Sequence, residues 1–415
     1  MTRRLRPRSV GTMVGGCENQ VRLCAVRNER GRARSTLRLA ALVLATLAGI
    51  SPALPQTWTQ TGAPSNHWAG IAASADGTRL VAVGGSSRAG PGSIYTSTDA
   101  GNTWVSNNAP KLNWIAVCSS ADGSRLAAVA YNSSGVWTNS GQSWAQTASP
   151  LNLFYPSSIA SSADGSRLIA LTSTALISTN FGRSWTPNPT VGGEGCAASA
   201  AGLKMLALGS NPYVSTNAGV SWTNYANLLW EEFRAAASSA DGTTLAALAD
   251  AGVWHSTNSG VSWMRSADAP TSSYGSIASS ADGARLILAQ GFSVPTPLYV
   301  STDSGTTWTS ANAPSNAWQA VASAADGNTL VAAVNGGGIW ISRTPPAPRL
   351  YLVSANDSLV FSWTLPSASF VLQQSSDLVH WMPVSNTPTL NLMNLQYGVS
   401  FAPSNTSDFY RLAAP

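Results

Sequence analysis

The chain has 415 residues, enough for two or three domains, and its hydrophobic content of 44% excludes a disordered polyelectrolyte. The formal net charge of +5 is concentrated at the start, where residues 1–38 hold 10 of the 23 Lys and Arg but only 2 of the 18 Asp and Glu. The remainder carries 13 basic and 16 acidic groups, a net charge of −3, so nucleic-acid binding loses its main support.

The first predicted element is a secretory signal peptide within an Arg-rich leader, residues 1–53. Arg38 precedes an apolar run over residues 39–50, and Ser51-Pro52-Ala53 offers small residues for cleavage. This run is too short to span a bilayer, which needs about 20 residues. We therefore expect an exported protein, secreted, periplasmic or on the cell surface, without a stable membrane span.

From residue 57 to residue 345 the chain repeats one unit seven times. A Ser-Ala-Asp-Gly turn recurs every 37 to 46 residues, which is the spacing typical of four-stranded propeller blades. An apolar strand lies on each side of the turn, and Asp-Gly predicts a hairpin because Gly adopts positive φ without steric cost. We expect the turn aspartates to be structural, with Ala201 marking a degenerate copy: Asp76, Asp122, Asp164, Ala201, Asp241, Asp282 and Asp326.

A second hairpin carries the pattern S-x-D/N-x-G-x-x-W in five units, as in STDAGNTW at 97–104, and a sixth copy, WTNSGQSW at 137–144, has Trp137 in place of the Ser. The Asp or Asn side chain can bond to backbone N–H groups of its own turn, and the Trp packs over the hairpin. The residues at this position are Asp99, Asn139, Asn180, Asn217, Asn258 and Asp303. The pattern resembles the Asp-box, or BNR, repeat, which implies a structural role on the outer rim of a propeller.

The last unit lacks a fourth strand, and the missing strand is found near the start of the chain. TWTQTGAPSNHW at 57–68 nearly copies TWTSANAPSNAW at 307–318, so that Trp58 aligns with Trp308. We expect residues 57–62 to complete the last sheet. The sequence thus predicts an all-β, seven-bladed β-propeller over residues 57–345, closed by its N-terminal strand so that no sheet edge is exposed.

Residues 346–415 form a separate predicted module. Pro345-Pro346-Ala347-Pro348 is typical of a linker, and the short alternating strands that follow predict a small β-sandwich. The pattern FSW…FVLQQSSDLVHW…FYRL is similar to a fibronectin-III-like module appended to many secreted bacterial proteins. An accessory, anchoring, glycan-contacting or solubilising role is open at this point.

Cysteine and histidine give no metal or catalytic pattern. Outside the leader only Cys118 and Cys196 remain, at small-apolar strand positions, which favours buried free thiols over a disulfide. His67, His255 and His380 are scattered and unpaired, which does not fit a zinc site or a His-based triad. We expect no metal and no cofactor.

The candidate binding surface begins with a row of residues eight positions before each turn residue. Five of the seven are aromatic and stand at the start of the innermost strand. They either pack between blades or line a funnel at the channel mouth that stacks sugar rings or holds an apolar peptide. The row is Trp68, Trp114, Pro156, Gly193, Phe233, Tyr274 and Trp318, and Trp230 and Arg234 complete the candidate ligand contacts.

Charged residues cluster next to the part of the row where Pro156 and Gly193 replace aromatic residues. Glu194 and Arg234 occupy equivalent positions, and Glu231 and Glu232 directly precede Phe233 and Arg234. One interpretation is a local ion pair with Arg234. The other is an acid and base pair of Glu194 with Glu232, because glycosidases need two carboxylates.

The repeats resemble two kinds of Asp-box propeller: the non-enzymatic, seven-bladed photosystem II assembly/stability factor family and the sialidase and xyloglucanase group of glycosidases. The sialidase resemblance implies three arginines on a carboxylate and an Arg-Ile-Pro motif, and that motif is missing. Xyloglucanases use two propellers in tandem, and the basic patch of the assembly factors has no equivalent in a chain this poor in Lys. Fold similarity alone is weak support for function.

These observations predict an exported, monomeric and non-catalytic propeller that binds a glycan or a protein segment at its channel mouth. The alternative is a carbohydrate-active glycoside hydrolase that uses Glu194, Glu231 and Glu232.

Overall fold

The computed structural model describes residues 24–27, 40–42 and 57–413, apart from short stretches at 87–89, 142, 154, 226–230, 272–274, 292–293, 344–349, 356–357, 365–370, 377–379, 392–395 and 402–407. Within these residues all regular structure is β-strand. Twenty-eight strands form seven antiparallel blades of four strands each, which confirms the predicted all-β propeller.

Each blade runs from the channel outward in chain order. The first, innermost strands are Asn66–Ala73, Trp114–Ser119, Ser158–Ser161, Gly195–Ala198, Phe233–Ser238, Ser276–Ser279 and Trp318–Ser323. The second strands are Leu80–Ser86, Leu126–Ala130, Leu168–Leu171, Met205–Leu208, Leu245–Ala249, Leu286–Ala289 and Thr329–Gly337. The third strands are Gly90–Ser97, Ser133–Asn139, Ala175–Ser178, Pro212–Ser215, Gly252–Ser256, Leu298–Ser301 and Ile339–Arg343. The fourth strands are Val105–Ser106, Trp144–Leu153, Thr186–Asn188, Thr223–Asn224, Met264–Arg265, Thr309–Ser310 and, for blade 7, Trp58–Gln60.

The N-terminal strand closes the ring as the repeat arithmetic predicts. Trp58–Gln60 pairs antiparallel with Ile339–Arg343, with Trp58 opposite Ser342. The Thr61 amide continues the ladder and donates to the Ile339 carbonyl at 2.8 Å. The Trp58 indole is buried and its Nε1 donates to the Ala311 carbonyl of blade 6 at 2.9 Å. Strand pairing and an inter-blade anchor therefore both hold the closing strand in place.

A second closure lies on the face that carries the Asp-Gly hairpins, here called the turn face. The residue before each turn position is alanine, and the amide of each donates to the alanine carbonyl of the next blade at 2.7–2.8 Å. The ring formed in this way is unbroken, since Ala325 donates to Ala75. Its members, the alanine ring, are Ala75, Ala121, Ala163, Ala200, Ala240, Ala281 and Ala325. Three of these alanines, Ala75, Ala240 and Ala325, are buried, and the other four are partly buried.

The hydrophobic core of the propeller is divided among the blade interfaces. Seven clusters of buried side chains each combine residues from two adjacent blades. The second strands are apolar on both faces, since each blade is covered by a neighbour on both sides. Cys118 and Cys196 lie in these clusters as buried free thiols, as predicted.

The C-terminal residues form two small sheets packed face to face. One contains Tyr351–Ala355, Ser358–Thr364, Gln396–Phe401 and Thr389–Asn391, and the other contains Asp408–Ala413, Val371–Ser375 and Met382–Pro383. Their shared core includes Phe361 and Trp363 from the first sheet and Leu372 and Tyr410 from the second. This is the predicted β-sandwich. Two short strands, Cys24–Arg27 and Ala40–Leu42, extend the second sheet beyond Asp408–Ala413, and the rest of the leader lies outside the described residues.

Candidate functional site

The predicted aromatic funnel is wrong for four of its residues. Trp68, Trp114, Trp318 and Phe233 are 0–2% exposed, so they present no ring face to a ligand at the channel mouth. Each of these four residues is paired with the second strand of its blade, and the register of that pairing shifts by one residue directly after it. A bulge of this kind adds one residue and re-aims the neighbouring side chains. The rings consequently pack into the blade interfaces, as in the other interpretation of the row.

The other two predicted aromatic contacts, Trp230 and Tyr274, lie outside the described residues. Pro156 is buried and Gly193 has φ of 146°, a backbone conformation that favours glycine. A Cβ at Gly193 would lie 1.9 Å from the Leu208 carbonyl oxygen, so no aromatic residue fits at this point of the row. Glycine is therefore required where the candidate site begins.

Arg234 is the centre of that site, and a bulge places it there. It is the extra residue between Phe233 and Ala235, where the register of the first two strands of blade 5 shifts. Its guanidinium binds three carboxylates: Nη1 lies 2.9 Å from Glu194, Nη2 2.5 Å from Glu232 and Nε 3.3 Å from Asp250. Glu194 and Glu232 lie in the loops that lead into the first strands of blades 4 and 5, and Asp250 lies in the turn between the second and third strands of blade 5. These connections are at the opposite end of the strands from the Asp-Gly hairpins, so the cluster lies on the face opposite the turn face. We call this the mouth face.

The cation of the cluster is mostly buried, whereas two of its carboxylates are exposed. The Arg234 side chain is 17% exposed, whereas Glu194 and Glu232 are 53% and 72% exposed. Partial burial lowers the pKa of Arg234, but hydrogen bonds and attraction from Glu194 and Asp250 outweigh it and raise the pKa above its ordinary value. The cation is thus permanent and is fully surrounded by acceptors. The local ion pair foreseen in the sequence is present with one additional partner, Asp250, which sequence spacing did not indicate.

A cavity of about 500 Å³ opens beside this cluster. Its lining comes from blades 4 and 5, with small or neutral residues mainly from blade 4 and charged residues mainly from blade 5. The lining residues are Gly193, Glu194, Leu208, Gly209, Ser210, Glu231, Glu232, Phe233 and Arg234. The lining holds three carboxylates, those of Glu194, Glu231 and Glu232, and one guanidinium. With Asp250, which pairs with Arg234 from outside the lining, the cluster has a net charge of −3.

The same geometry bears on the glycosidase alternative. Glu194 and Glu232 both accept hydrogen bonds from one guanidinium, so the two side chains are held by the same cation. A glycosidase needs one carboxyl group that is protonated and placed against the leaving oxygen. Both carboxylates contact the same guanidinium here, an arrangement that suits the binding of positive charge better than acid and base catalysis.

Sequence reasoning missed an exposed aromatic pair near the cavity. Tyr131, in the second-to-third turn of blade 2, and Tyr155, in the loop before blade 3, lie with ring centroids 5.2 Å apart and planes at 72°. Tyr155 is 72% exposed, and a hydrogen bond with it raises the pKa of Tyr131. Ser157 connects the pair to the cavity, because its Oγ donates to the Gly193 carbonyl at 2.6 Å. The two tyrosines occupy the positions that Asp250 and Glu232 hold in blade 5, so the repeat alignment could have indicated them.

The turn face carries dense hydrogen bonding of a structural kind. In blade 1 the Asp76 carboxylate accepts from Ser74 Oγ at 2.5 Å and from the Thr78 amide at 3.0 Å. These bonds, together with the bond from Thr78 Oγ1, outweigh the effect of burial and lower the pKa of Asp76. The same contacts recur in blades 2, 3 and 5.

The second hairpins follow one design with two chemical variants. Asp99 accepts from the Thr103 amide at 2.8 Å and from Thr103 Oγ1 at 2.6 Å. Where the acid is replaced by an amide, the hydroxyl reverses its role: Asn180 Oδ1 accepts from the Ser184 amide, and Asn180 Nδ2 donates to Ser184 Oγ at 2.8 Å. The residue before the glycine is also left-handed, with φ of 58° at Ala100 and 64° at Phe181, which the sequence pattern did not indicate.

Metal and membrane features were sought in the described part of the chain. No group of three or more His, Cys, Asp or Glu residues there is placed to hold a metal ion. No helix within those residues is long and apolar enough to cross a membrane.

Comparison with known proteins identifies similar solved structures only. No protein-family model matches the sequence, and no curated protein matches it. A structure described as YCF48 bound to D1 peptide is 17% identical with a TM-score of 0.49, over 70% of this chain and 97% of that one. The structure of YCF48 from Cyanidioschyzon merolae is 15% identical with a TM-score of 0.50, over 69% of this chain and 98% of that one. The chain contains a β-propeller that resembles YCF48. At this identity the similarity concerns the fold.

Proposed function

We propose that the protein is a non-catalytic propeller that holds a basic segment of a partner protein at its mouth face. The observation that carries this proposal is the cavity beside Arg234, whose lining holds the carboxylates of Glu194, Glu231 and Glu232, while Asp250 pairs with Arg234 from outside the lining. The excess of three negative charges favours a ligand that carries Lys or Arg. Glu194 and Glu232 are more than half exposed, so they can reorient towards an incoming cation while Asp250 keeps Arg234 paired.

The tyrosine pair supplies the apolar part of the same surface. Tyr131 and Tyr155 lie on neighbouring blades, and Ser157, two residues after Tyr155, donates to the carbonyl of Gly193 in the cavity lining. An edge-to-face pair with one ring 72% exposed offers a surface for a proline ring, an aliphatic stem or an arginine plane. An extended segment that crosses from blade 2 to blade 5 would contact both features.

A glycan is the second candidate ligand, and the exposed ring of Tyr155 is the observation that favours it. Aromatic faces stack on sugar rings, and the carboxylates would accept hydrogen bonds from sugar hydroxyls. A neutral glycan makes no use of the charge excess, however. For that reason we place the basic protein segment first.

The proposal is tested by binding measurements on basic, neutral and acidic peptide pools and on a glycan array. We expect basic peptides to bind, with a dissociation constant that rises with salt. Glu194→Gln combined with Glu232→Gln should weaken binding about tenfold or more. Asp268→Asn is the matched control, because this exposed loop carboxylate lies outside the cavity lining.

Two outcomes would contradict the proposal. Equal binding of acidic and basic peptides would show that charge does not select the ligand. Turnover of chromogenic glycosides that disappears in Glu232→Gln would instead establish the glycoside hydrolase.

We also propose that the chain is exported, on the basis of the signal-peptide pattern in residues 1–53. Expression in a bacterial host, followed by N-terminal sequencing of protein recovered outside the cytoplasm, should give a start near residue 54. Intact protein retained in the cytoplasm would contradict this.

The repeated Asp and Asn bonds favour assigning the second hairpins to the Asp-box repeats, and the two packed sheets favour a fibronectin-III-like assignment of the C-terminal module.

A further inference from the structure

The C-terminal module contacts the propeller at the alanine ring. Tyr397, in the strand Gln396–Phe401, packs against Ala75 and Ala325, with Ala121 and Ala281 in the same cluster. Its ring also belongs to the core of the sandwich, where it lies 6.1 Å from Trp363. One side chain therefore joins the sandwich core to the convergence point of the blades.

The channel is narrow where this contact is made. A cavity of about 160 Å³ lies inside the alanine ring, with small Ser and Ala side chains from all seven blades as its lining. The seven hydrogen bonds of the ring fix the aperture, because none of the blades can move outward without breaking two of them. The cavity is lined by the blades themselves, and the Tyr397 ring contacts two of its lining residues, Ala75 and Ala325, on the side of blades 7 and 1.

Burial on the turn face is unequal in a way that fits a cover over blade 7. Asp326 is half-buried, whereas the equivalent Asp76, Asp122, Asp164, Asp241 and Asp282 are exposed. Burial raises the pKa of Asp326, although the amide and side chain of Asn328 donate to it. Blade 7 has Ala324 where five other blades have the serine that bonds to the turn aspartate, so Asp326 lacks that bond. This position is fully buried in all six of these blades, so only the aspartate itself differs in burial.

We propose that the C-terminal module is a stopper that closes the turn-face end of the central channel through Tyr397. The mouth face is then the open end, and a ligand reaches the channel from that side only. The module thereby acquires a role in the propeller itself, which goes beyond the ligand binding proposed above and does not depend on it.

The ring amides report on this closure in the unmodified full-length chain. Hydrogen exchange of the Ala75 and Ala325 amides should be about tenfold slower than that of the Ala163 and Ala200 amides, which make the same bond on the far side of the ring. Tyr397→Ala should remove most of this difference, and Tyr397→Phe should preserve it. Equal exchange in the unmodified chain would overturn the proposal, as would a difference that persists in a folded Tyr397→Ala variant.

Thiol labelling gives a second measurement. Ala325→Cys and the matched Ala163→Cys are made with Cys17 and Cys24 replaced by Ser, since the remaining Cys118 and Cys196 are buried. We expect the thiol at position 325 to react about tenfold more slowly than the thiol at 163, and Tyr397→Ala to accelerate only the former. Similar reactivity at the two positions would refute the stopper whether or not any peptide binds at the mouth face.

Discussion

Replacement of Trp58 by alanine tests the closure of the ring most directly. Trp58 is 9% exposed, donates to the Ala311 carbonyl and lies 6.2 Å from the Trp318 ring in the interface between blades 6 and 7. Removing a buried Trp side chain costs about 3–5 kcal/mol. At about 2–4 °C per kcal/mol for a domain of this size, the melting temperature should fall by roughly 10 °C.

The chain itself offers a matched control in Trp308, the aligned residue of blade 6. Trp308 is 6% exposed and donates to the Gly305 carbonyl at 3.1 Å, but its strand is tethered by the preceding hairpin. Two equivalent amides report on the two strands: Thr61 donates to Ile339, and Ala311 donates to Leu298, each at 2.8 Å.

We expect Trp58→Ala to accelerate exchange of the Thr61 amide to nearly its unprotected rate, because the short closing strand then detaches locally. Trp308→Ala should destabilise the protein to a similar extent while the Ala311 amide keeps most of its protection. Tyr155→Ala, at an exposed ring, should leave the melting temperature unchanged. A Trp58→Ala variant that loses less than about 1 kcal/mol and keeps Thr61 protected would refute closure by this strand.

Three further predictions concern single side chains. Burial lowers the pKa of His255 from 6.5, so as the pH falls the unfolded chain takes up the proton before the folded chain does. The melting temperature should therefore fall as the pH drops below 6.5, and the melting temperature of His255→Val should lack this part of the pH dependence. Asn217→Ala should cost about 1 kcal/mol in denaturant unfolding, whereas Asn217→Asp should be nearly neutral because the Ser221 hydroxyl can donate instead of accept; equal losses would contradict this. Burial raises the pKa of Cys118, and that of Cys196 to about 12, so a maleimide at pH 8 should modify neither thiol until the protein is unfolded.

The sequence is most informative where a residue repeats. The turn residues from Asp76 to Asp326 predict seven blades, and the copy of residues 307–318 at 57–68 predicts how the ring closes. Both predictions hold because a blade cannot bury its two faces alone, so each unit must carry the same apolar pattern. Cys118 and Cys196 are buried for the same reason, since they occupy two copies of one strand.

The sequence is least informative where a side chain departs from the repeat. For Trp68, Trp114 and Trp318 the sequence allows either a ring at the channel mouth or a ring between blades. In the structure all three rings, each beside a bulge, lie in the blade interfaces. Such a bulge depends on how two strands pair, which local sequence does not encode.

What the sequence determined by itself is therefore the architecture: an all-β ring of seven repeated sheets with a sandwich behind it, because periodic burial is a local property of each unit. The sequence also indicated the charged cluster around Arg234, but only the tertiary structure decided which further contacts form: Arg234 meets Asp250, Tyr131 meets Tyr155 across two blades, and Tyr397 meets the alanine ring from a separate module. These contacts join residues far apart in the chain, and their geometry follows from the closed ring and from the docking of the C-terminal module on it.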